Sequence, residues 1–208
     1  GDGAAAGGDG AAAGEERWVP VAVKVLHPHV RDAVVVDMDL LRCGGWLLDR
    51  IPSLHWLNPS GMMREFASLL LMQLDLRGEA RNLETFLANF PPADGAAIAF
   101  PQPMRPFVSR DALIETFVDG EPFLEWARRA QPSQELRQRV CYEGVDAVIQ
   151  MMFVDNFVHG DLHPGNIFVT HDEAGQPRLA FLDAGIAVRR APAPAPAPSP
   201  SPSPPSPP

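Results

Sequence analysis

"HGDLHPGNIFV", residues 159–169, sets two histidines, an aspartate, a proline, a glycine and an asparagine among apolar residues. Three readings compete for it. His159 and His163 are four apart, the spacing that puts two zinc ligands on one helix face, but Pro164 and Gly165 stop such a helix and no third ligand follows at ligand spacing. "HPGN" also makes a sound turn whatever the chemistry, because Asn and Gly occupy turns for steric reasons. The third reading is the catalytic loop of a phosphotransferase, with Asp161 and Asn166 in a D-x-x-x-x-N pattern.

The rest of the chain weighs on the choice. Kinase-type phosphoryl transfer needs an acidic residue near the acceptor and an Asn and a second Asp for Mg²⁺. It also needs a strand lysine on the phosphates and a helix glutamate that holds the lysine. The chain offers Lys24 in "VAVK", Glu79 in "GEARN", Asp161 and Asn166 in the loop, and Asp183 in "LDAG". "NIFVTHDEAGQPRLAFLDAGIAV" reads as two strands around a turn at "DEAGQP", a hairpin with Asn166 just before it and Asp183 just after. Each residue has a plainer reading: Lys24 as a solvated strand lysine, Glu79 pairing Arg77 or Arg81 on its own helix, Asp183 as a helix cap. Lys24, however, lies between Ala22 and Leu26 on the less bulky strand face, where a charge needs a partner.

Upstream, "WVPVAVKVLHP" alternates with Val19, Val21, Val23 and Val25 on one face, which predicts a strand stopped by Pro28. A helix is expected over 30–48, with "CGG" at 43–45 as an interruption, and a second from an N-cap at Ser60 to Phe90, kinked at Gly78. "AIAFPQPMRPF" and "ALIETFVDGEP" each predict a short strand, the second ending in the turn "VDGEP". "FLEWARRA" and "SQELRQRVCYEGVDAVIQMMFVDNF" predict two helices, the latter capped by Ser133. Strand, helices, strands, helices, loop, hairpin is the order of an α+β protein with two segregated lobes.

Composition bounds the rest. Residues 1–14 are a tandem GDGAAAG repeat and 191–208 are Pro/Ser-rich, a flexible linker and a polyproline-type tail, so the folded unit is expected over 15–190. A formal net charge of −9, with dispersed basic residues, argues against a nucleic-acid partner. Cys43 and Cys141 have no CxxC spacing and are expected to be buried free thiols. No apolar run reaches the ~18 residues needed to cross a bilayer. With no initiating Met and no Arg-rich presequence, the chain reads as an internal fragment.

The motifs "VAVKVLHPHV", "HGDLHPGNIFV" and "FLDAGI" resemble the lysine strand, catalytic loop and metal-aspartate motif of the UbiB/AarF-domain atypical kinases, over about residues 18–188. "QLDLRGEARNLETF" and "FPQPMRPFVSRDALIETFVDG" are most similar to the mitochondrial AarF-domain-containing kinase branch usually numbered two. The resemblance implies a protein-kinase-like two-lobed fold truncated at both ends, N-lobe part 15–118 and C-lobe part 119–190. It implies Mg²⁺ and ATP as cofactors, with Asp161, Lys24 and Glu79 as the catalytic set. Lys24, Glu115, Phe117, Asn166 and Asp183 would contact the nucleotide, and Asn166 and Asp183 the metal. A nucleotide and lipid- or quinone-pathway proteins are the implied partners, with membrane association, in the mitochondrion or alternatively the plastid. Ubiquinone or lipid metabolism is the implied context.

Departures are visible. Gln73 and Asp75 stand where most of the family has the E-x-D that engages an N-terminal K-x-G-Q segment, and neither that segment nor the family's Ala-rich nucleotide loop is recognised here. Gly160 replaces the arginine of ordinary protein kinases and Ala184 the phenylalanine of their metal motif, which argues against regulation by loop phosphorylation or an aromatic switch. Two rivals stand beside the enzyme reading: a pseudokinase scaffold, and an aminoglycoside- or choline-kinase-like phosphotransferase, whose usual I-D-W/F-E/G motif differs from "LDAGI".

Overall fold

The computed structural model describes residues 18–93, 96–129 and 131–189; the Gly/Ala repeat and the Pro/Ser tail lie outside the described residues. Strand β1 (Val21–Val25) forms where the alternation predicts it. It is the Lys24 face that turns inward, while Val23 and Val25 are 57% and 67% exposed. Helix α1 (Val30–Leu48) runs through "CGG" without the expected interruption. Gly45 sits at a close contact: a Cβ would lie 3.1 Å from Ser60 Cα on the next helix, so any larger residue would push the two backbones apart by a few tenths of an ångström.

A 3₁₀ turn over Pro52–Leu57 leads into α2 (Pro59–Gln73). Its N-cap is Asn58, whose side chain accepts from the Gly61 N–H, with Pro59 in the first turn; Ser60, the expected cap, bonds Asp49 instead. The single long helix expected to Phe90 is two helices. The chain breaks at Asp75, which is extended and caps α3 (Leu76–Asn89) by accepting from Arg77 N–H at 3.1 Å, so Gly78 lies inside α3 rather than at a kink.

Beyond α3 come β2 (Ile98–Ala99), β3 (Pro103–Val108), β4 (Ala112–Thr116) and β5 (Gly120–Pro122). The "GEP" of the expected turn is thus a strand. Helices α4 (Phe123–Arg129) and α5 (Gln134–Phe153) follow, the latter capped by Ser133 as its sequence predicts. The hairpin is β7 (Ile167–His171) and β8 (Pro177–Phe181). Two strands of three residues, β6 (Phe157–His159) and β9 (Ala187–Arg189), pair antiparallel and clamp the loop and hairpin between them. Gly160, next to this clamp, donates to Ile186 O at 2.8 Å, and a Cβ there would meet Ile186 Cγ2 at 2.5 Å.

One sheet runs β1-β4-β3 and is antiparallel; the other runs β2-β8-β7-β5, with β2 parallel to β8. Phe86 of α3, fully buried, joins the layers by stacking on Phe100 at 4.8 Å and packing on Phe157 at 4.7 Å and His159 at 5.8 Å. Leu83, Leu113, Val140, Met151, Val169 and Phe181 complete one core around it. Both cysteines are free but exposed rather than buried: on α5 the adjacent Val140 takes the core position, leaving Cys141 on the flank. No helix among the described residues is long and apolar enough to cross a membrane.

Candidate active site

The site starts from the inward face of β1. Lys24 Nζ donates to Glu79 of α3 and lies 3.7 Å from Glu115 Oε1 of β4 and 3.4 Å from the Leu182 carbonyl. Glu79 is therefore buried against β1, not paired along its own helix; Arg77 goes to Asp75 instead. Burial pulls the Lys24 ammonium down, but Glu115, Glu79 and Asp183 together carry it above its ordinary value. Burial pushes the Glu79 carboxyl up against the pull of Lys24.

Glu115 is the more perturbed of the two acids. Burial, then the neighbouring Glu79 and Asp183, outweigh the attraction of Lys24 and push it up to about 7. A carboxyl raised in the folded state binds its proton more tightly there than in the unfolded chain, so its contribution to stability is fully present below about pH 4.5 and is lost as pH rises from there through about 7. Glu115→Gln is expected to flatten that loss and to stabilise the fold at pH 8 by about 2–3 kcal/mol. Urea denaturation at pH 6 and 8 measures it; an unchanged slope would show that Glu115 ionises freely.

The loop after β6 is braced by its own polar groups. Asp161 N–H donates to His159 Nδ1 at 3.2 Å, and the Asp161 carbonyl accepts from His163 N–H and from Asn166 Nδ2, both at 3.1 Å. Burial holds the His159 imidazole below its ordinary value, in keeping with an aromatic setting between Phe86 and Phe181. His163 Nδ1 accepts from Gly165 N–H at 3.1 Å, so the two histidines brace one turn from different positions. Among the described residues no three His, Cys, Asp or Glu side chains form a group that could hold a metal.

Asn166 and Asp183 are brought together by the hairpin: Leu182 N–H donates to Asn166 O at 3.0 Å. Asp183 is followed by β9, not a helix, and its Oδ1 accepts from Gly185 N–H at 2.9 Å. The Asn166 amide nitrogen is committed to Asp161, so a cation would meet its Oδ1. Asn82, not anticipated from the sequence, donates to Ala184 O at 2.8 Å and ties α3 to the "LDAG" segment. Its signal was its spacing of three from Glu79, which puts both on one helix face.

Lys24, Glu79, Asp161 and Asp183 line one cleft of about 250 Å³ with Gln73, Leu76, Gly185 and Ile186. Asn166, Glu115 and Phe117 lie outside that lining; the Phe117 ring, just past β4, is 54% exposed. Asp75, the other E-x-D position, is held down to about 2, chiefly by its bond to Arg77.

Comparison with known proteins agrees with this fold. The family described as "ABC1 atypical kinase-like domain" matches residues 12–193. The chain is 36% identical over 147 residues to a probable serine/threonine-protein kinase, abkC, of Dictyostelium discoideum, covering 71% of this chain and 21% of that protein. It is 38% identical over 156 residues to the ABC1 family protein YPL109C, mitochondrial, of Saccharomyces cerevisiae, covering 74% and 23%. It is 30% identical over 173 residues to a probable protein kinase UbiB of Cronobacter sakazakii, covering 83% and 31%. The chain thus spans less than a third of the length of these relatives. A solved structure of a complex of Rv3197 with erythromycin, from Mycobacterium tuberculosis, shares the fold with a TM-score of 0.62 at 23% identity, over 81% of this chain and 40% of that one. With the matched family covering most of its length, the chain belongs to the ABC1 atypical kinase-like domain family, the group that includes the UbiB proteins.

Proposed function

We propose that this chain handles Mg-ATP as part of an atypical kinase or ATPase, transferring or hydrolysing a phosphoryl group in support of ubiquinone or other lipid metabolism in the mitochondrion. The observation that carries the reading is the convergence of Lys24, Glu79, Asp161 and Asp183 on one cleft from β1, α3, the β6–β7 loop and the segment after β8. The metabolic and mitochondrial parts rest on relatives named UbiB and named mitochondrial.

The donor set suits the cofactor. A carboxylate and a carboxamide oxygen are hard ligands of the kind Mg²⁺ takes, and an ammonium held by a buried glutamate is a preset partner for phosphate. Asp183 and Asn166 would hold the ion. When bound, Mg-ATP supplies the phosphoryl group and neutralises the charge on it. Lys24 would hold a phosphate oxygen, with Glu79 fixing its ammonium at the cleft. Asp161 would orient the attacking hydroxyl or water and take its proton. Glu115, beside Lys24 but outside the cleft lining, would act through Lys24 rather than touch the nucleotide, and Phe117, an exposed ring just past β4, would complete the nucleotide set.

ATP at a hundredfold over its Kd should stabilise the chain by about 2.7 kcal/mol, only with Mg²⁺ present. Asp183→Asn is expected to abolish that shift. Asp161→Asn should keep it while lowering turnover by about 100-fold or more. Turnover that is unaffected in Asp161→Asn sinks the reading; binding without turnover in the unaltered chain would make it a nucleotide-binding scaffold.

A further inference from the structure

Lys24 has more anionic company than one ammonium can neutralise. Ala22 stands opposite Glu115 and Lys24 opposite Leu113 in the antiparallel β1–β4 ladder, so Lys24 and Glu115 are diagonal neighbours on one face. Ala22 is too small to fill the space between them, and the Glu115 carboxylate comes within 3.7 Å of Nζ. Glu79 approaches the same ammonium from α3 and takes its hydrogen bond. Glu115 is left with attraction alone: it is 3% exposed, and its Oε2 is buried with no hydrogen-bond partner. Such an oxygen is costly to leave unpaired. Glu79 lines the cleft and Glu115 does not, so a pull toward Glu115 is a pull toward β4 and away from the cleft.

We propose that Glu115 is a positioning residue that competes with phosphate for Lys24, drawing the ammonium back toward β4 when ionised and releasing it to the cleft when protonated. This rests on the reading of Lys24 as the phosphate-holding residue. The charged groups that face Glu115 are Lys24 from β1, Glu79 from α3 and Asp183 from the segment after β8. Glu115 is pushed up to about 7, chiefly by burial, so the competition strengthens as pH rises through 7 and nucleotide affinity falls in the same window.

The test uses the 208-residue chain, unaltered and as Glu115→Gln and Glu115→Asp. Mg-ATP affinity is measured by calorimetry at pH 6 and 8, and trace acetylation of Lys24 by acetic anhydride, without nucleotide, is followed by mass spectrometry. The unaltered chain is expected to lose about tenfold in affinity between the two pH values, a coupling of ~1.4 kcal/mol. Glu115→Gln should bind at pH 8 as the unaltered chain does at pH 6, and its Lys24 should acetylate about tenfold faster at pH 8. Glu115→Asp, which keeps a carboxylate, should keep a pH dependence, a result that a purely space-filling role does not produce. Nucleotide binding in Glu115→Gln with the unaltered pH slope and acetylation rate overturns the proposal and leaves the proposed function standing. Absence of Mg-ATP binding at both pH values in all three proteins overturns the proposed function, and the acetylation rates then decide by themselves whether Glu115 restrains Lys24.

Discussion

Lys24→Met is expected to destabilise the fold by about 3 kcal/mol at pH 8, the low end of the cost of breaking a buried ion pair because the lysine side chain keeps 31% of its surface exposed. The damage comes from what is left behind. Glu79 and Glu115 are 6% and 3% exposed and would share the interior with Asp183 nearby and no cation. Both carboxyls would then titrate higher still, so the folded variant binds protons more tightly than its unfolded chain. Its stability should fall with rising pH, and the loss relative to the unaltered chain should shrink toward pH 5. Adding Glu79→Gln and Glu115→Gln to Lys24→Met should recover most of the loss at pH 8. Urea denaturation of the three proteins is the measurement. A loss below about 1 kcal/mol that does not depend on pH would mean that the cluster is solvated like a surface ion pair.

Phe86→Ala is expected to cost about 3–5 kcal/mol, the range for removing a fully buried aromatic ring. Phe86 is 0% exposed and its ring contacts Phe100, just after β2, and Phe157 and His159 of β6, two segments far apart in the chain. A cavity there cannot collapse without moving α3, and α3 carries both Glu79 and Asn82 into the site. Any folded Phe86→Ala protein should therefore also lose affinity for Mg-ATP, whereas a ring buried for stability alone would leave affinity unchanged. Combined with Phe157→Ala, the loss should be less than additive by about 0.5–3 kcal/mol, because the two rings share one contact. Equilibrium unfolding of the single and double variants reads this directly, and simple additivity would break the argument that one stack joins the layers.

Elements that follow from local chemistry were legible in the chain. The alternation around Lys24, the helical period over 30–48 and the Ser133 cap are encoded within a few residues of where they act, and the structure has all three. Departures occur where a distant partner decides. Ser60 does not cap α2 because Asp49, eleven positions back, takes its hydroxyl. "CGG" does not interrupt α1 because packing against α2 outweighs the weak helix preference of two glycines. Strands β6 and β9 have three residues each, too short for alternation to register, and exist through their pairing.

The site divides in the same way. Sequence alone determined which chemistry was available: an ordered series of Lys24, Glu79, Asp161, Asn166 and Asp183, with the last two held at the ends of a hairpin whose turn residues are local. Only the tertiary structure decided which charges meet. That Lys24 contacts Glu79 and Glu115, 55 and 91 positions away, and that Asn82 rather than a loop residue steadies Ala184, depends on how α3 and β4 pack against β1. The physical reason is range. Propensity and periodicity act over one or two turns of chain, whereas burial sets the energy of a charge by every group folded around it.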